Sequence, residues 1–434
     1  MSNLQRRQFA CTLILLAIFC FLPIAAGAQA HSVVCSGGFG SFDAKSTTGV
    51  AVSVGPERSG EFAKHACQAK FRWERQDLRA VPDASEVDVD AMGIDLGLGS
   101  LVVALQVKAT DSDPLMKYEI YSLKKPPRLL KEITGGDYYS AADTDLDGLI
   151  EIWTDDAGAL KDFDNIPLSS FDLPPTVVLR YEKERLIDVS SEFRSAFDRQ
   201  IEALRTQIDP RDLADFKTSD GKLSTMFHMS ADQMHRDLTT KIRVLEIVWG
   251  YLYSDREQDA WNALGAMWPP ADVDRIRASI LDARAHGIRS RVDGVSHELA
   301  PSRRPKHAMI FDRVTGKVSD ATVDLPHQGH GDPSMGSGGS GGSQDHMSSF
   351  EADSFPVQIL MRRPPPPEGS EAAPVTEVAV NLVVDAAGKV RSAKVEGSPD
   401  KDLVGSTVGW KFIPAYKDGK AVASRLRMGV TPSQ

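Results

Sequence analysis

The segment Val378-Ala379-Val380-Asn381-Leu382-Val383-Val384-Asp385-Ala386-Ala387-Gly388-Lys389-Val390-Arg391-Ser392-Ala393-Lys394-Val395 decides how the rest of this sequence is read. Val378, Val380, Leu382 and Val384 alternate with Glu377, Ala379, Asn381 and Val383, and a period of two predicts a strand. It runs into Asp385-Ala386-Ala387-Gly388-Lys389, a turn in which Gly388 takes positive φ without strain. A second strand is expected over Val390 to Val395, so the pair is a β-hairpin. A short helix follows over Asp400 to Val408. Trp410-Lys411-Phe412-Ile413-Pro414-Ala415-Tyr416-Lys417-Asp418-Gly419-Lys420 then leads into a last strand, Ala421 to Val430.

Three motifs stand in order here: Asp385, Gly388 and Val390; then Trp410, Phe412, Pro414 and Ala415; then Asp418, Gly419 and Val422. Their order and spacing resemble the C-terminal domain of the TonB family, over residues 356–434. The resemblance implies a small periplasmic α+β module. It also implies a protein partner, such as the N-terminal segment of an outer-membrane receptor, and a place in TonB-dependent transport across the envelope. The sequence departs from the family at Gly405 and Gly409, which weaken the helix, and at Arg362 to Pro367, where the family has a Tyr-Pro pair. Three strands and one helix leave a sheet edge unpaired, and an extended peptide can add to such an edge. Trp410 and Phe412 share a face and are expected in the core with Val380, Leu382 and Leu426. Arg425 and Arg427 alternate with Leu426 and are expected to face solvent.

At the other end, Arg6 and Arg7 precede an apolar run from Phe9 to Ala26, and Ala28-Gln29-Ala30 follows. This is the pattern of a secretory signal with cleavage before His31. The alternative is an inner-membrane anchor over residues 9–26. Cleavage removes two arginines and no acid, taking the formal charge from −10 to −12. A chain this acidic excludes nucleic acid as a natural partner. Of four cysteines, Cys35 and Cys67 lie beyond the signal, and an even pair in an exported protein predicts a disulfide.

Between these ends, His31 to Trp73 is expected as a small β-piece, and residues 87–190 as mostly antiparallel β. Leu101–Val107, Tyr118–Leu123, Leu129–Ile133 and Thr176–Tyr181 carry strand patterns. Within them, Asp143-Thr144-Asp145-Leu146-Asp147-Gly148-Leu149-Ile150-Glu151 places carboxylates at alternate positions, then a glycine, then a further carboxylate. The side chains of Asp143, Asp145, Asp147 and Glu151 and the carbonyl of Leu149 would give the all-oxygen shell that suits a structural calcium ion. Thr154 stands where an EF-hand needs its bidentate glutamate, and Ile150 to Thr154 has a strand pattern. The loop therefore resembles the FG-GAP loops of integrin-type propellers. Asp88-Val89-Asp90-Ala91-Met92-Gly93-Ile94-Asp95 is a degenerate second copy, without the third carboxylate and not expected to bind metal well.

From Ser191 the period becomes helical. Phe193, Phe197, Ile201 and Leu204 make one face, Asp209-Pro210 opens a helix, and Leu238–Tyr253, Arg256–Trp268 and Asp272–His286 follow. The fold class is therefore multidomain α+β. Its parts are a signal (1–30), a β-rich domain with the calcium-type loop (31–190), a helical domain (191–290) and a short β or irregular extension (291–330). A flexible Gly/Ser linker (331–355) and the TonB-like domain (356–434) complete it. The linker predicts a module that is tethered rather than tightly packed. There is no His-Glu-x-x-His, P-loop, dinucleotide fingerprint or nucleophile elbow, so no enzyme is expected. The expected function is a periplasmic protein whose TonB-like module binds a partner. The alternatives are a calcium-stabilised envelope adhesion or scaffold protein with no transducing role, and a secreted hydrolase.

Overall fold

The structure is a computed structural model. It describes residues 34–56, 66–223, 230–296, 327–331, 357–360, 378–396, 401–407, 409–417 and 419–430. The expectations for Met1–Ala30, for strands between Lys306 and Leu325, for the Gly/Ser tract beyond Gly331 and for Asp418 lie outside these residues.

The chain is a mixed α+β fold. In order come β1 (Cys35–Ser36), β2 (Phe42–Lys45), β3 (Ala51–Pro56), β4 (Cys67–Trp73), β5 (Gln76–Ala84), β6 (Glu86–Ile94), β7 (Val102–Lys108), β8 (Met116–Ser122), β9 (Arg128–Gly136), β10 (Tyr139–Ala142), β11 (Glu151–Asp155), β12 (Thr176–Glu182) and β13 (Arg185–Asp188). Short 3-10 turns fill the stretch between β11 and β12. The helices are α1 (Arg194–Gln207), α2 (Pro210–Lys217), α3 (Ala231–Tyr253), α4 (Glu257–Met267) and α5 (Val273–His286). Then come β14 (Gly294–Val295), β15 (His327–Gly331), β16 (Val357–Leu360), β17 (Val378–Val384), β18 (Val390–Val395), α6 (Lys401–Thr407), β19 (Lys411–Ile413), β20 (Ala415–Lys417), β21 (Lys420–Val422) and β22 (Ser424–Val430).

The sheet β1-β6-β7-β8-β9 is the middle layer. Its strands are apolar on both faces, and alternate residues feed different cores. Val87, Val89, Met92, Val103 and Leu105 pack against the sheet β2-β3-β4-β5. Ala91, Ile94, Val102 and Ala104 face the other way, toward the sheet β10-β11-β12-β13-β14 and the helices. The Cys35–Cys67 disulfide joins β1 to β4, across the first of these cores, with Cα atoms 5.9 Å apart. The second core continues past residue 190: Val177 and Leu179 of β12 share it with Phe197, Ile201 and Leu204 of α1 and Leu245, Val248 and Leu252 of α3. Trp249, Tyr253 and Trp268 are fully buried in it, as packing residues.

The helix boundaries follow their caps. Asp209 accepts from the Arg211 N–H at 2.7 Å, with Pro210 in the first turn, and Ser230 accepts from Gln233 N–H at 3.3 Å. Gly250 lets α1 approach α3 closely, since a Cβ there would lie 2.9 Å from Ile201 Cγ1.

The C-terminal module has its own core of Val380, Leu382, Val384, Leu403, Trp410, Phe412, Leu426 and Met428. Its sheet runs β15-β22-β17-β18. The last strand is interior: β22 has β17 on one side and β15, in parallel, on the other. One expectation is corrected: the module is not merely tethered. Ala387, in the β17–β18 turn, is buried in the main core, and Ile359 of β16 packs on the N-terminal one. The physical reason is a set of buried charges, Lys389 on Asp90 and Lys411 on Asp88, and a close approach of Tyr416 to Gly93.

Candidate metal centre

The loop between β10 and β11 gathers Asp143, Asp145 and Asp147, each offering a carboxylate oxygen within 4.8 Å of the others. Oxygens on one calcium ion, at 2.3–2.6 Å from it, lie at most about 5 Å apart, so this spacing fits. Gly148 holds φ at +86° and Leu146 at +61°, which turns the loop sharply. The turn is tied by Gly148 N–H to Asp143 Oδ2 (3.2 Å), Leu149 N–H to Asp147 Oδ1 (2.7 Å) and Asp147 N–H to Asp145 Oδ1 (3.3 Å). Trp153 Nε1 donates to Thr144 Oγ1 at 2.8 Å and fixes the loop on β11. A strand, not a helix, follows the loop, as its pattern predicts.

Asp143 is 1% exposed, and its Oδ1 has no hydrogen-bond partner among the described residues. A buried, unsatisfied carboxylate oxygen is costly unless something charged meets it. Burial pushes the Asp143 carboxyl up to about 8; the Asp385 carboxylate adds to the rise and Arg391 opposes it. Burial, then the neighbouring Asp147, raises Asp145 as well. An all-oxygen, acidic, partly dehydrated set of this kind fits a hard divalent cation.

Glu151 is not one of the three gathered carboxylates. Its Oε2 accepts the Thr144 N–H at 3.2 Å, and its Oε1 lies 3.6 Å from Arg180 Nη1. Arg180, on the adjacent strand β12, also binds Glu182 and Glu192. Burial, then Asp145, raises the Glu151 carboxyl well above the usual carboxylate range. Leu149 is exposed. Of the expected ligands, the carboxylates of Asp143, Asp145 and Asp147 are gathered.

The degenerate copy is not a loop at all. Asp88 and Asp90 lie in β6, both buried, and the cations they meet are lysine ammonium groups of the module. Lys411 Nζ donates to Asp88 Oδ2 and to the Val89 carbonyl, both at 2.7 Å. Lys389 Nζ donates to Asp90 Oδ1 at 2.5 Å and to its carbonyl at 2.7 Å. Asp90 also accepts from Tyr118 Oη (2.6 Å) and Ala141 N–H (2.7 Å). Burial alone would raise the Asp90 carboxyl, but Lys389 and Lys411 hold it below its ordinary value. Nearby, Gly93 (φ +77°) lets Tyr416 Oη reach its carbonyl, and a Cβ there would lie 2.7 Å from that hydroxyl.

The module's motif residues are placed as follows. Asp385 and Gly388 form the β17–β18 turn, and Val390 begins β18. Trp410 and Phe412 are core, Pro414 separates β19 from β20, and Ala415 begins β20. Gly419 turns β20 into β21, which ends at Val422. Asp385 is fully buried and reaches the metal loop: its Oδ2 accepts the Asp143 N–H at 3.2 Å and the Arg391 Nε–H at 2.6 Å. Sequence reasoning missed Arg180, Arg391 and the two lysines as parts of this region, since no local pattern marks a partner on a distant strand. Comparison with protein-family models, curated proteins and solved structures finds no match.

Proposed function

We propose that this chain is an exported scaffold protein of the cell envelope, stabilised by calcium at Asp143, Asp145 and Asp147, with its TonB-like module held on the body. The seam of Lys389 on Asp90 and Lys411 on Asp88 carries this reading. Removing one partner of a buried ion pair costs about 3–5 kcal/mol, so a module seated this way is part of the architecture. The disulfide supports an oxidising compartment. Among the described residues no helix is long and apolar enough to cross a membrane. The test is thermal unfolding with calcium and with chelator. Calcium at a hundredfold excess over Kd would add about 2.7 kcal/mol. Asp145→Ala is expected to abolish the difference, and identical midpoints for the unsubstituted chain in the two conditions would reject the site.

A second reading has its own observation. Among the described residues, β18 lies at the sheet edge opposite β15 and has a strand on one side only. If the module recruits a receptor segment, as its resemblance implies, β18 is the edge it would use. NMR titration of the full chain with receptor N-terminal peptides is expected to shift Val390–Val395. Shifts confined to other surfaces would leave the scaffold reading alone.

A further inference from the structure

We infer that cation binding at the Asp143 loop and docking of the C-terminal module reinforce each other, so that the loop works as a cation-operated latch. The inference rests on the calcium reading above and names how that site is regulated.

The two acidic turns meet directly. The first residue of the metal loop donates its N–H to the module's Asp385 at 3.2 Å, and both residues are buried. Asp385 is fully supplied: its Oδ1 accepts from Ala387 N–H (2.9 Å) and Lys389 N–H (2.8 Å), and its Oδ2 meets Arg391 Nε and Nη2, both at 2.6 Å. Asp143 is not. Its Oδ2 accepts from Gly148 N–H, and its Oδ1 has no hydrogen-bond partner among the described residues. Docking therefore brings a carboxylate against the loop and removes water, without giving Asp143 a cation of its own. Asp385, itself fully buried, seats on the first residue of the loop, so the docked module makes the site drier. Drying strengthens the attraction for a divalent cation. Without the cation, the docked module leaves Asp143 Oδ1 buried with no hydrogen-bond partner among the described residues, which opposes docking. By linkage, the factor by which docking tightens calcium is the factor by which calcium tightens docking.

The test uses the full chain with calcium as the probe. Calorimetry reads binding, and amide hydrogen exchange in calcium and in chelator reads the module. Calcium is expected to slow exchange at Gly148 and Leu149 in the loop, and by about tenfold or more at Ala387, Lys389 and Phe412. The double variant Lys389→Met/Lys411→Met, whose altered side chains do not touch the loop, is expected to weaken calcium about fivefold or more. No calcium binding would remove the calcium reading and this inference together. Binding that protects the loop but leaves the module amides unchanged would overturn the inference alone, as would an unchanged affinity in the double variant. If that variant does not fold, the exchange comparison on the unsubstituted chain still decides.

Discussion

Asp143 holds a position that suits neither water nor an empty site. Its carboxyl stands at about 8 against an ordinary 3.8 because it is buried, beside Asp385. A group raised on folding contributes stability that is fully present below the unfolded value and is lost as pH rises through the folded one. In chelator, the protein should therefore lose stability between about pH 4 and 8 through this residue. Calcium needs the carboxylate, so its affinity should climb over the same interval. Calorimetry at about pH 6 and pH 8.5 checks this: markedly weaker binding at the lower pH is expected. Equal affinities would remove Asp143 from the ligand set. The triad was legible in the sequence because its members sit at consecutive alternate positions, where spacing alone reports convergence. Glu151 also lies near Arg180 of β12, and nothing within the loop announces that neighbour.

Turns and strands give a sharper contrast at the level of elements. Gly388 and Gly419 both hold positive φ, at +80° and +74°. A Cβ on Gly388 would lie 1.8 Å from the Phe412 carbonyl oxygen, whereas among the described residues nothing beyond its chain neighbours lies within 4 Å of one on Gly419. Gly388→Ala should therefore cost about 2–4 kcal/mol, from left-handed strain plus forced separation of the turn from β19. Gly419→Ala should cost only the strain, about 1–2 kcal/mol. Urea melts of the two variants measure both, and equal losses would mean that the turn does not press on Phe412. The hairpin β17–β18 was readable from its period of two, and the helices from their caps and apolar faces. The partner strand β15 was not: His327-Gln328-Gly329-His330-Gly331 has no apolar alternation, so its pairing with β22 left no trace in the local sequence.

For the whole molecule, the middle sheet and its two cores set what each part can do. The disulfide ties that sheet to the β2–β5 sheet, 32 residues apart in sequence. Its replacement by Cys35→Ala/Cys67→Ala should cost about 3–4 kcal/mol by loop entropy. The gain in midpoint on adding calcium should survive, because the metal loop adjoins the other core. Loss of that gain, read by calorimetric scanning, would show the two cores to be one cooperative unit. The seam between body and module was invisible in the sequence because charge pairing over such a distance has no periodicity to betray it. That distance also imposes a schedule. Asp90 and Asp88 leave the ribosome 299 and 323 positions ahead of the lysines that neutralise them. At about 5–20 residues per second this is on the order of 15–60 s. Throughout that wait β6 holds two carboxylates without their ammonium partners, and only the arrival of Lys389 and Lys411 finishes it. A chain cut short before Lys389 would leave both carboxylates permanently without those ammonium partners.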